Sequence, residues 1–166
     1  MNIAVLPSPD PLAISSEYDL SDFIAAMEAL YAERHRRGML VWQLEYKSGV
    51  SFNAGHAWRT GLRFPQMTNF VAVAQTLDFE VVMRSKVAPA VEYDLRRMSA
   101  AMVALNEART QRKISTKDLR KVSGVSLSSF YSWLRQSRDP TLGRLNRLAQ
   151  SLDFEIIMRP KKELAA

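Results

Sequence analysis

Cysteine is absent from the 166-residue chain, which excludes disulfides and thiolate metal sites. Histidine occurs only at His35 and His56. Neither stands with a spaced carboxylate cluster or a glycine-rich phosphate loop, so the parts for metal-assisted, triad or phosphoryl-transfer chemistry are missing. The expectation is a protein that is not an enzyme, with no catalytic residue, no metal and no cofactor. No uninterrupted apolar run approaches the roughly 18–20 residues that span a bilayer. The opening stretch, Met1-Asn2-Ile3-Ala4-Val5-Leu6-Pro7, has no basic segment and too short an apolar one for a secretory signal. No membrane partner is expected, and the cytoplasm is the expected compartment.

What is present is an apolar content of 47%, enough for one sizeable core or two small ones. There is also an excess of base: 23 Lys and Arg against 17 Asp and Glu, net +6. Such a balance favours polyanionic partners without identifying one, so the order of the residues has to carry the rest.

That order is a repeat at a constant offset of 75. Glu17-Tyr18-Asp19-Leu20 returns as Glu92-Tyr93-Asp94-Leu95, Ser48-Gly49-Val50-Ser51 as Ser123-Gly124-Val125-Ser126, and Leu77-Asp78-Phe79-Glu80 as Leu152-Asp153-Phe154-Glu155. Residues 16–84 and 91–159 align without a gap at 27 identities in 69 positions. Chance gives roughly one identity in fifteen to twenty, so the chain reads as a duplication. Two copies are too few for a solenoid; each must nearly fold alone or pack on its twin. The expected organisation is an arm over 1–15 containing Pro7, Pro9 and Pro11, a first unit over 16–84, a linker over 85–90, a second unit over 91–159 and a tail over 160–166.

Within the second unit, Leu95, Met98, Met102 and Leu105 recur at helical spacing and predict a helix over roughly 92–110. Ser115 is placed to cap a helix from Thr116 to Ser123 that Gly124 stops. Ser126 is placed to cap another, from Leu127 to about Gln136. Asp139-Pro140 opens a fourth, with Leu142, Leu145, Leu148 and Ala149 on one face. Phe154-Glu155-Ile156-Ile157-Met158 is short and β-branched, hence a strand; Phe79-Glu80-Val81-Val82-Met83 is its counterpart.

The run Leu119-Arg120-Lys121-Val122-Ser123-Gly124-Val125-Ser126, continued by Phe130, Trp133, Pro140, Leu145, Leu148 and Ala149, resembles the Cro/λ-repressor (XRE) helix-turn-helix family. The turn makes physical sense. Gly124 allows a left-handed residue, Val125 plugs the turn, and Phe130 with Trp133 anchors the next helix, leaving its other face free for a major groove. The resemblance covers both repeats. It implies a mainly α fold: two tandem helix-turn-helix domains of the λ-repressor kind, each followed by a short strand. The strands resemble those of HipB-type antitoxin repressors and are expected to pair in a small antiparallel sheet, Glu80 opposite Arg159 and Glu155 opposite Arg84.

Carried over from the family, the DNA-contacting positions of the second unit are Thr116, Lys117, Lys121, Ser126, Leu127, Ser128, Tyr131, Ser132, Arg135 and Arg138. Those of the first are Ser51, Phe52, Asn53, His56, Arg59 and Thr60. Arginine suits a guanine edge, asparagine an adenine, and Leu or Phe a thymine methyl. The sequence also departs from the family pattern. Glu45 and Arg120 stand where a small residue follows the helix leucine, Val41 and Thr116 stand where glutamine often begins that helix, and Gly55 stands where the second unit has Phe130. Charge separates the copies further. Residues 16–84 hold 7 basic and 8 acidic side chains (7 − 8 = −1), and residues 91–159 hold 13 and 7 (13 − 7 = +6). The implied function is that of a bacterial or mobile-element transcriptional regulator, nucleoid-associated, reading an imperfect palindrome in double-stranded DNA. The other partners implied are a second copy of the chain in a homodimer, RNA polymerase or a toxin-like protein. The alternative is an antitoxin or anti-activator whose first unit grips a protein. Nothing after the second unit resembles a self-cleaving or sensory domain, so control is expected through abundance or a partner.

Overall fold

A computed structural model describes residues 17–52 and 55–162. The expected arm over 1–15 and the end of the expected tail, 163–166, lie outside the described residues. In chain order the elements are β1 (Tyr18–Asp19), α1 (Phe23–Arg36), α2 (Val41–Ser48), α3 (Gly55–Arg59), α4 (Met67–Thr76), β2 (Phe79–Ser85), β3 (Glu92–Asp94), α5 (Met98–Gln111), α6 (Thr116–Ser123), α7 (Leu127–Leu134), α8 (Leu142–Ser151) and β4 (Phe154–Pro160). The fold is mainly helical with one small antiparallel sheet of order β1-β4-β2-β3.

The sheet decides how the repeats meet. β2 and β4 pair over their full length, with Glu80 opposite Arg159, Val82 opposite Ile157 and Arg84 opposite Glu155. Val82 and Ile157 are the same position of the two repeats, since 82 + 75 = 157. A residue that faces its own counterpart in an antiparallel ladder lies on a twofold axis, so the repeats are related by a pseudo-dyad through this pair. The dyad recurs at the helix ends, where Gln66 bridges Thr141 (66 + 75 = 141). There the Met67 N–H donates to Pro140 O and the Leu142 N–H to Pro65 O, each at 2.9 Å.

The outer strands cross over. β1, from the first repeat, pairs with β4 of the second, Tyr18 opposite Met158. β3, from the second, pairs with β2 of the first, Tyr93 opposite Met83. Each repeat therefore completes the other's sheet, which covers both central edges. These outer strands correct the helix expected over 92–110. Glu92–Asp94 is strand, and α5 begins only at Met98. Asp94 ends the strand with a turn in which its carboxylate accepts the Arg96 N–H at 2.9 Å. Leu95 is then buried as a plug rather than as part of a helix face. The linker is likewise shorter than expected, because Ser85 belongs to β2 and hydrogen-bonds Val91. The fourth helix starts at Leu142 rather than at Pro140. At the far end Pro160 closes β4, and the Lys161 N–H donates to Asp78 O at 2.8 Å, so the tail begins later than 160.

Side chains alternate across the pleat. Phe79, Val81, Met83, Phe154, Ile156 and Met158 face the helices and join one continuous core. Val82 and Ile157 are buried outside that core, flanked along their strands by Glu80, Arg84, Glu155 and Arg159. Arg84 pairs with Glu155 at 2.7 Å and Glu17 at 3.1 Å, while Arg159 pairs with Glu80 at 2.6 Å and Glu92 at 2.7 Å. The Arg84 hydrogen bonds hold the Glu17 carboxyl below the usual range, and the Arg159 hydrogen bonds do the same for Glu92.

Candidate nucleic-acid interface

In the second repeat, α6, its turn and α7 are each set by local chemistry. Ser115 caps α6, its Oγ accepting the Asp118 N–H at 3.1 Å and donating to Asp118 Oδ2 at 2.7 Å. Gly124 ends that helix at φ 70°, a left-handed conformation for which glycine carries no Cβ penalty. Buried Ser123 donates to Leu119 O at 2.6 Å and accepts the Val125 N–H at 3.2 Å, which seats Val125 in the turn. Ser126 then caps α7 by accepting the Ser129 N–H at 3.2 Å.

Phe130 and Trp133 are buried, so the opposite face of α7 is turned outward. Leu127, Ser128, Tyr131 and Arg135, at i, i+1, i+4 and i+8, are all exposed and form one stripe. Ser132 is half-buried, and its carbonyl accepts from Ser137 and Arg138 at the helix end. Thr116 is half-buried, whereas Lys117 and Lys121 on α6 and Arg138 beyond α7 are exposed. Lys117, Arg120, Arg135 and Arg138 make no ion pair among the described residues; Lys121 makes a loose one with Asp118 at 3.9 Å. Arg144 is stacked on Trp133 at 5.3 Å and donates to Ser129 Oγ. The second repeat thus brings a short polar and aromatic ridge together with unpaired cations.

The equivalent surface of the first repeat differs in kind. Val41, Trp42 and Tyr46 occupy the places of Thr116, Lys117 and Lys121, and they are exposed at 45%, 62% and 86%. The helix α3 has only five residues. Ser51 and His56 are exposed, while Asn53 lies outside the described residues. Phe52 is half-buried, packed edge-on against Trp58 at 5.5 Å. A Cβ built on Gly55 would stand 3.0 Å from Phe52 Cδ1. The Phe52 ring therefore fills space beside Gly55, where the second repeat has Phe130. Arg59 stacks on Tyr31 at 4.7 Å, and the Thr60 hydroxyl donates to His56 O at 2.9 Å.

Sequence reasoning missed the exposed Trp42 and Tyr46. The signal was the alignment of the repeats itself, where aromatic residues replace two lysines at solvent-facing helix positions. Among the described residues no three His, Cys, Asp or Glu side chains are grouped to hold a metal ion, and no helix is long and apolar enough to cross a membrane.

Residues 104–156 match the family model of the Cro/C1-type HTH DNA-binding domain. The matched stretch runs from within α5 to within β4 and contains all of α6, the Gly124 turn and α7. No curated protein and no solved structure gives a significant match.

Proposed function

We propose that this protein is a sequence-specific, double-stranded DNA-binding regulator of transcription whose second repeat carries most of the recognition. The observation that carries the reading is the outward stripe of α7, Leu127, Ser128, Tyr131 and Arg135, set beside unpaired cations in a domain of a DNA-binding family. With α7 in the major groove, Arg135 is suited to a guanine edge and Leu127 to a thymine methyl, while Ser126, Ser128 and Ser132 offer hydroxyls. Thr116, Lys117, Lys121 and Arg138 serve the phosphates, which fix register and orientation. The pseudo-dyad supports a bipartite site, an imperfect palindrome with half-sites about one helical turn apart. Its weaker half would fall to Ser51, Asn53, His56 and Thr60 of the first repeat.

Selection of bound sequences from random duplexes, followed by titration of the selected site at two salt concentrations, tests this. Preference for one sequence family and a steep loss of affinity with salt are expected. Equal affinity for selected and scrambled duplexes refutes it.

A second reading, in which the first repeat binds a protein as an antitoxin or anti-activator would, is favoured by one observation. The start of α2 presents Val41 and Trp42 where phosphate contacts would need polar or basic residues.

A further inference from the structure

We propose that the α2 face of the first repeat is a docking site for an acidic, amphipathic helix of a partner protein, a proposal that rests on the second reading above. Leu40, Val41, Trp42 and Tyr46 expose 55%, 45%, 62% and 86% of their surfaces within seven residues of chain. Trp42 and Tyr46 lie one helical turn apart and share a face. Isolated exposed apolar residues are ordinary, but a contiguous group rich in Trp and Tyr has the make-up of an interface centre.

Beside it, a pocket opens between α1, α2 and the turn, lined by Leu30, Tyr31, Arg34, Val41, Leu44 and Phe52 among others. A second cavity shares Tyr31 and Arg34 with it and adds His35, Arg36 and Arg59, with Glu28 as its acidic member. Apolar floor and basic rim are therefore continuous. Arg36 is paired with Glu33, but Arg59 makes no ion pair among the described residues; its guanidinium lies over the Tyr31 ring at 4.7 Å.

Beneath the rim the two repeats differ. In the second repeat, Arg109 Nε donates to Asn106 Oδ1 at 3.3 Å. In the first, the residue in place of Asn106 is Tyr31, and Arg34 Nε is buried without a partner. A carboxylate at this rim would meet Arg59, while apolar side chains of the same helix cover Trp42 and Tyr46.

The charge decides among occupants. A second copy of this chain, seated face to face, would bring Arg34, His35 and Arg59 against their own duplicates. Duplex DNA would meet Val41 and Trp42 in place of polar or basic groups, and Glu45 where the second repeat has Arg120. The Glu45 carboxylate is turned inward onto the Phe52 N–H at 2.6 Å, so it does not oppose an acidic helix at the rim.

The test uses the full-length protein and a synthetic helix of about 18 residues with a leucine stripe flanked by glutamates, long enough to be helical in part. A lysine-flanked version and a scrambled version are the controls. Trp58 and Trp133 are buried at 6% and 3% exposure, so quenching by acrylamide reports chiefly on Trp42. The acidic helix should bind at micromolar concentration and shield Trp42, and the two controls should not. Trp42→Lys with Tyr46→Lys, which copies Lys117 and Lys121, should weaken binding, read by anisotropy of the labelled helix, at least tenfold, as should Arg59→Glu. If the double variant fails to fold, Tyr46→Ala at the most exposed of these positions provides the same comparison. Equal binding of acidic and scrambled helices, unchanged binding by the variants, or shielding of Trp42 by duplex DNA instead would overturn the proposal. Duplex binding through α7, measured on the same double variant, reports separately on the DNA-binding reading.

Discussion

Replacing Gly143 by threonine asks whether the two sides of the pseudo-dyad have become chemically distinct. The dyad makes the pair Phe64 and Gly143 the counterpart of Asp139 and Thr68. On one side Asp139 Oδ2 accepts the Thr68 N–H at 3.1 Å and the Thr68 hydroxyl at 2.6 Å, capping α4 from the other repeat. On the other, the Phe64 ring lies directly over Gly143. A β-carbon there would stand 2.9 Å from Phe64 Cδ2, 3.0 Å from Cγ and 3.2 Å from Cε2. No side chain fits at that distance, so the ring must leave, and with it goes its tilted contact with Phe23 at 5.1 Å.

Overpacking of this kind costs about 1–3 kcal/mol, and the lost aromatic pair about 0.5–1.5 kcal/mol. Removing a helix glycine returns less than about 1 kcal/mol, because Gly143 is the second residue of α8 and threonine is a poor helix former. Phe64 is already 44% exposed and can swing outward, which places the net loss near the low end, about 1–2 kcal/mol. Phe64→Asp alone should cost a similar amount through the Phe23 contact. The double variant, Phe64→Asp with Gly143→Thr, rebuilds the carboxylate-to-hydroxyl contact of the opposite side. It should be more stable than the sum of the single changes by about 1–3 kcal/mol. Urea denaturation followed by tryptophan emission and circular dichroism measures all four proteins. A neutral Gly143→Thr, or strictly additive losses, would refute the reasoning. The same asymmetry bears on assembly, because exchange of like repeats between two chains would set Phe64 against Thr68 and leave Asp139 facing Gly143 with no hydroxyl to bond.

Proline at Val82 or at Ile157 removes a ladder N–H at the dyad, and each should lower stability by on the order of 3 kcal/mol; a Tm unchanged in both would mean the sheet does not hold the repeats together. Glu17 and Glu92 titrate below the usual carboxylate range in the folded chain, so the stability they contribute is present above that range and is lost as pH falls through their folded values. Thermal melting from about pH 7 to about pH 3 should therefore show an acid limb that Glu17→Gln with Glu92→Gln flattens, and an identical limb in that variant would assign the loss elsewhere. Arg135→Ala should weaken operator binding by about 1–3 kcal/mol, as loss of a bidentate base contact would, whereas Thr60→Ala, whose hydroxyl is spent on His56 O, should change it little; equal losses in footprinted half-sites would restore the first repeat to full rank as a reader. Ser115→Ala removes the α6 cap and should cost about 1 kcal/mol of stability, seen as a lower urea midpoint.

Much of this protein was legible in local pattern because its signals are short-range. Gly124 in its turn, Ser115 and Ser126 as caps, and the burial of Phe130 and Trp133 opposite an exposed stripe all follow from residues within a few positions of one another. The same holds for the two β-branched strands, and opposite charges at their ends even indicated the antiparallel register. Tertiary structure alone decided the rest. Tyr18–Asp19 and Glu92–Asp94 have no periodicity to read in two or three residues, and they become strands only because the other repeat offers an edge to pair with. Phe52 occupies a base-contact place of the motif, yet its ring is half-buried against Trp58 in the space beside Gly55, and empty space is a property of packing rather than of sequence. The buried bridge through Pro65 and Pro140, the inequality of Phe64–Gly143 and Asp139–Thr68, and the continuity of an apolar face with the Arg34 and Arg59 rim arise the same way. The first two join residues that become neighbours only when the two repeats close on one axis, and the third joins α1, α2 and α3 of the first repeat once its helices have packed.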